Sequence, residues 1–198
     1  MNEIEFIPLI NLFISKDTAT EGVPPGTSST NLIQWDIYQK RVVKKNYLNI
    51  LEPISAGIYQ YRLFDFGIED IERAINLYIG ETDINESDSL WGGYAVAIDG
   101  KIELYPQCCG LLEEIQDWKK ILDENFVDFH LKECHPSPLI TKKDNEIFIL
   151  CKDDYETFFP LTTKEKIILN YQDVKLALIK LINKLTNFST KLNTLSHK

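Results

Sequence analysis

Residues 90–110 read Leu-Trp-Gly-Gly-Tyr-Ala-Val-Ala-Ile-Asp-Gly-Lys-Ile-Glu-Leu-Tyr-Pro-Gln-Cys-Cys-Gly, and this stretch decides the fold. Two alternating runs flank Asp99-Gly100. A two-residue type I′ turn needs positive φ at both central positions, which Asp-Gly tolerates, so residues 94–98 are expected to pair with 101–105 as a hairpin. Pro106 ends the second strand by removing a ladder donor. After the Cys108-Cys109-Gly110 corner, Leu111, Leu112, Ile115, Trp118, Ile121 and Leu122 fall on one helical face, with Glu113, Glu114, Asp117 and Lys120 opposite. Hairpin, corner and helix should form one packed unit, the two cysteines fixing its turn.

Outward from this unit the chain reads as further short elements. Residues 4–14 are apolar with mixed period, and Pro8 marks them as an edge strand. Residues 16–30, rich in Gly, Pro, Ser and Thr, form a long loop of the kind that is either functional or disordered. No lysine follows Gly26, so they are not a phosphate loop. Ile33, Trp35 and Ile37 alternate with Gln34, Asp36 and Tyr38 as a half-buried strand, and the cluster Lys40, Arg41, Lys44, Lys45 behind it reads as a solvated face. Residues 58–66 suggest another strand. Ile68, Ile71, Ala74, Ile75, Tyr78 and Ile79 mark a helix ended by Gly80. Phe126, Val127 and Phe129 mark a short strand, and residues 139–141 and 147–151 a second hairpin around 142–146. Beyond Thr163, Gly and Pro vanish, and Tyr171, Val174, Leu178, Leu181, Ile182, Leu185, Phe188, Leu192 and Leu195 form the stripe of one long helix.

The fold class expected is α+β: mainly antiparallel sheet built of hairpins, packed by two short amphipathic helices and one long C-terminal helix. At 198 residues and 44% hydrophobic content the chain can bury a sizeable core as one domain. Residues 1–161 make its acidic α+β body, and 162–198 a lysine-rich helix either packed on it or pairing with a second copy or partner. Net charge is −9. Residues 162–198 set seven lysines against Glu165 and Asp173, a balance of +5, so residues 1–161 carry −14. Such a body disfavours nucleic acid, which needs a basic footprint, and favours a basic protein. No apolar run is long enough to span a membrane. Acidic residues stand where a secretory signal is basic, and four cysteines in a chain this long fit a reducing compartment, so a cytoplasmic location is expected.

Four carboxylates, Glu81, Asp83, Glu86 and Asp88, precede Trp91. They lack the central glycine and the twelfth-position glutamate of a calcium loop, and with Trp91 they are candidate partner-binding residues. The only candidate metal set is Cys108, Cys109, His130, Cys134 and His135. Adjacent cysteines usually diverge, and His130 and Cys134 share a face only on a helix, so buried structural thiols are the expectation and no metal or other cofactor is assigned. Cys109 ahead of a helix would have a lowered pKa, but no orienting partner for a nucleophile is signalled, and no residue is given a catalytic role. Neither a Gly-x-Ser-x-Gly nor a His-Glu-x-x-His motif is present.

Residues 91–94 (Trp-Gly-Gly-Tyr), 105–110 (Tyr-Pro-Gln-Cys-Cys-Gly) and Trp118 resemble proteins of bacterial polymorphic-toxin systems, of the SUKH-like immunity type. The resemblance covers about a fifth of the chain and transfers no functional residue. It implies a non-enzymatic protein whose acidic surface binds a basic partner such as a toxin. Two other readings stay open: a small hydrolase or transferase using carboxylates and a cysteine, and a structural module that dimerises through its C-terminal helix.

Overall fold

The computed structural model describes residues 3–80, 87, 89–161 and 163–195. Asp99 and Gly100 take φ values of 50° and 79°, the pair that a type I′ turn requires. They join β3 (Gly92–Ile98) to β4 (Lys101–Leu104). The class is α+β, with two antiparallel four-stranded sheets and five α-helices among the described residues, the last of them long. Strand order is β2-β1-β3-β4 in the first sheet, with β1 at Ile4–Asn11 and β2 at Gln60–Arg62, and β5-β6-β7-β8 in the second, with β5 at Asp128–His130, β6 at Leu139–Lys143, β7 at Glu146–Leu150 and β8 at Lys166–Asn170. The chain divides into two compact units, one of Met1–Pro8 with Trp91–Lys198, the other of Leu9–Leu90.

In the first unit the helical segment after the Cys-Cys-Gly corner is a single α turn, α4 (Ile115–Trp118), between 3₁₀ turns over Leu112–Glu114 and Lys119–Leu122. Of the expected apolar side chains it buries Ile115, Trp118 and Ile121, while Leu111, Leu112 and Leu122 are half-buried and Glu114, expected on the opposite face, is buried. Trp118, fully buried, meets Phe6 and Phe129 edge-on with ring centroids 4.9 and 5.7 Å away. The second sheet is a meander of β5 (Asp128–His130), β6 (Leu139–Lys143), β7 (Glu146–Leu150) and β8 (Lys166–Asn170). The β6–β7 hairpin closes through Asp144-Asn145, a tighter turn than the expected five-residue loop, with Asp144 at φ 54°.

Strand β8 lies in the segment assigned to the long helix. Its burial alternates, with Ile167 and Leu169 inward and Ile168 half out, as a strand with one buried face requires. Asn170 then switches the chain to helix, its Oδ1 accepting the N–H groups of Gln172 and Asp173 at 2.9 and 3.2 Å. Helix α5 (Tyr171–Leu195) follows directly.

The second unit contains α1 (Lys16–Thr20), α2 (Leu32–Asn46), β2 (Gln60–Arg62) and α3 (Ile68–Ile79). Four expectations are corrected here. The segment around Ile33, Trp35 and Ile37 is the start of α2, because Tyr38, Val42 and Asn46, all buried, extend a helical period that the local alternation hides. Strand β1 (Ile4–Asn11) is an inner strand despite Pro8, lying between β2 and β3 in the strand order; Leu9, Ile10 and Asn11 pair with β2. Residues 16–30 include α1, and the expected 58–66 strand is only β2 followed by a 3₁₀ turn over Leu63–Asp65. No helix among the described residues is long and apolar enough to cross a membrane.

Val174, Leu178 and Leu181 of α5 are buried, while no described residue of α5 beyond Leu181 is. Leu178→Ala should therefore cost about 2–5 kcal/mol in a urea melt, and Leu185→Ala less than about 1 kcal/mol; equal losses would mean that the second half of α5 is packed too.

Candidate functional site

In the second unit a buried carboxylate organises an exposed loop. Asp70 lies in the first turn of α3 and is fully buried. Its oxygens accept the Leu48 N–H at 2.6 Å, the Asn49 N–H at 3.0 Å and the Asn49 side-chain amide at 2.6 Å. Burying a carboxylate is costly unless charge-assisted donors replace its water, and the positive end of a helix helps. Tyr47 donates its hydroxyl to Phe13 O at 2.7 Å, and burial, then the Asp70 charge, push its pKa up to about 12, so it remains a donor. Arg73 Nη1 donates to Asn46 O at 3.1 Å. Residues 46–49 are thus pinned from several sides, yet Leu48 is 57% and Ile50 90% exposed.

The loop borders a groove of about 430 Å³ lined by Val43, Tyr47, Leu48, Ile50 and Leu51, with Lys40 and Lys44 along the α2 side. Ile33, Ile37, Lys40 and Lys44 follow one another at helical spacing, so one side of α2 carries two exposed isoleucines that lead toward the groove. An ion pair between Lys40 and Glu52, 3.5 Å long and well exposed, stands where the groove meets a smaller recess of about 160 Å³. Exposed pairs of this kind contribute little and rearrange readily. Inside the recess Tyr59 donates its hydroxyl to Asp36 Oδ1 at 2.9 Å, and burial with that carboxylate raises its pKa well above the ordinary value.

The residues singled out from the sequence lie elsewhere. Glu81, Asp83, Glu86 and Asp88 fall outside the described residues. Trp91, half-exposed, forms an isolated bridge with Leu111. Cys108 and Cys109 are exposed rather than buried, whereas Cys134 is buried and its pKa is pushed up to about 12 by that burial and by Glu114. Cys108 and His135 exchange two backbone hydrogen bonds, of 3.2 and 2.9 Å, and His130 is exposed on β5. Among the described residues no group of three or more His, Cys, Asp or Glu is placed to hold a metal ion.

A second buried carboxyl group, Glu114, occupies the corner behind the cysteines. It is 5% exposed, and its Oε1 has no hydrogen-bond partner among the described residues. Burial drives its pKa up to about 7 against the restraining N–H of Leu111. Room for it comes from two glycines: a Cβ on Gly93 would lie 3.0 Å from Glu114 Oε2, and one on Gly110 3.1 Å from Oε1 and 2.6 Å from Gly92 O. So enclosed, it is a buried acid rather than one offered to a solvent-borne substrate.

Comparison with protein-family models, with curated proteins and with solved structures gives no match to this chain. Leu48, Ile50 and Asp70 escape the sequence reading, and Glu114, read from the sequence as lying on the polar face of its helix, is buried. The one signal for the loop is the cluster Tyr47, Leu48, Ile50 and Leu51 around Asn49, which has no strand or helix period.

Asp70→Ala is expected to cost about 1–3 kcal/mol and to speed amide exchange at Leu48 and Asn49 selectively; unchanged exchange would show that the brace is not what orders the loop. Because Glu114 holds its proton more tightly when folded, its stabilising contribution is present below its ordinary value of 4.5 and is lost as pH rises through about 7. Glu114→Gln should therefore gain on the native chain, by up to about 3 kcal/mol in melts compared between acidic pH and about pH 8, and a pH-independent difference would contradict the burial of that charge.

Proposed function

We propose that the chain is a non-enzymatic binding protein that captures a partner through the 47–52 loop and its groove. One observation carries the reading: a fully buried carboxylate holds in place a loop whose own apolar side chains, Leu48 and Ile50, stand in water. Burying each such side chain is worth about 1.5–3 kcal/mol. A loop ordered before binding loses little further entropy, so more of that gain becomes affinity. Exposed apolar patches with polar rims are typical of interaction sites. Lys40 and Lys44 on the rim favour a protein segment that is apolar at its centre and acidic at its flank.

A second reading rests on the net charge of −9 and the acidic run from Glu81 to Asp88. In it an immunity-type protein, acting in the cytoplasm, steers a basic toxin onto its acidic surface, as the resemblance implies.

Both readings meet one test. The chain is used as bait in extract of the cell that makes it, and the retained protein is purified and titrated by calorimetry. The groove reading expects a negative heat-capacity change and at least a tenfold loss of affinity, about 1.4 kcal/mol, for Ile50→Asp. Loss on neutralising Glu81, Asp83, Glu86 and Asp88, together with strong salt dependence, supports the acidic-surface reading instead. Binding indifferent to both sets of changes contradicts both.

A further inference from the structure

Gln107, Cys108, Cys109 and Gly110 form a β-turn, with the Gly110 N–H donating to Gln107 O at 3.3 Å. Cys109 is its third residue, at φ 64°. A type II turn reserves that position for glycine, and a side chain there costs about 1–2 kcal/mol. Both flanks of the turn hold it against that cost. Cys108 exchanges its two backbone bonds with His135, and buried Gln107 donates Nε2 to Tyr105 O and Phe159 O at 2.7 and 2.9 Å while its Oε1 accepts the Phe159 N–H at 2.8 Å. One result of the enforced backbone is that two adjacent thiols, both exposed, turn to the same side with their sulfurs 3.3 Å apart. The other two cysteines, Cys134 and Cys151, are buried, and burial pushes each pKa up to about 12, which keeps them protonated and enclosed.

We infer that Cys108 and Cys109 form a thiol–disulfide exchange site that reacts with low-molecular-weight disulfides and closes to a reversible vicinal disulfide. The Cys109 thiol is pushed up, chiefly by its hydrogen bond to Cys108, which casts Cys109 as the resolving thiol and leaves the first attack to Cys108. Its thiolate attacks one sulfur of the small disulfide; the S–S bond breaks, and the departing thiolate takes up the proton that Cys108 gave. Cys109, deprotonated in turn, attacks Cys108 Sγ in the mixed disulfide and expels the second small thiol. Two protein thiols are oxidised to one disulfide and one small disulfide is reduced to two thiols. Across the trans peptide the two Cα atoms stand about 3.8 Å apart, below the usual disulfide span, and strained disulfides of this kind are readily reduced. The bond therefore suits reversible closure better than permanent stapling.

The test incubates the full chain with excess oxidised glutathione, alkylates in denaturant and maps the products by mass spectrometry. Expected is a chain lighter by two hydrogen atoms, with Cys108 and Cys109 protected from alkylation, Cys134 and Cys151 alkylated, and full reversal by dithiothreitol. Cys109→Gly suits the turn and should fold; it is expected to stop at a single glutathione adduct on Cys108. A stable adduct on the unaltered chain, a disulfide-linked dimer, or two free thiols at positions 108 and 109 overturns the inference.

Discussion

Asp70 is the constraint on which the proposed binding surface of the second unit depends. A carboxylate with no exposed surface is tolerated only when its lost water is replaced, and the replacements are three donors from Leu48 and Asn49. Because those donors belong to the loop, satisfying the charge and ordering the loop are one event. Tyr47 and Arg73 extend the anchorage to Phe13 and Asn46. The side chains with no part in it, Leu48 and Ile50, are left facing water. Glu114 shows the opposite treatment of a buried acid. It receives the Leu111 N–H, leaves one oxygen unpaired among the described residues and has its pKa raised to about 7, so it keeps its proton well above the usual carboxylate range, whereas Asp70 is surrounded as a charge should be.

Local chemistry was most legible where it was self-contained. Asp99-Gly100 announces its turn because only a few residue types accept two positive φ values in succession, and the hairpin follows from that alone. Periodicity failed where two periods overlapped. Ile33, Trp35 and Ile37 alternate by accident within the first turns of α2, and the helical repeat appears only when Val42 and Asn46, behind the basic cluster, are counted. Strand β8 lies inside the 162–198 segment that reads as helix because no Gly or Pro separates it from α5; Asn170, a helix cap, is the actual punctuation.

Function was harder to see for a different reason. Charge is visible in a sequence, and it drew attention to the acidic run before Trp91. Exposure is not visible, and Leu48 and Ile50 are unusual only for being exposed. Asp70 reads as an ordinary acidic residue in the first turn of a helix until its three donors are known. Cysteines 108 and 109 read as packing thiols because neighbouring side chains normally point apart; the left-handed backbone at Cys109 reverses that expectation. In each case a three-dimensional constraint converts a commonplace residue into a specific one.

Site-specific photo-crosslinking in the cell that makes the protein tests the central claim most directly, with a photoreactive residue placed at position 50 and, in a separate chain, at exposed Tyr155 of the first unit. The account predicts one dominant protein adduct from position 50, absent from position 155 and lost when Asp70→Asn loosens the loop. No adduct from position 50, or an adduct indifferent to Asp70, would contradict it.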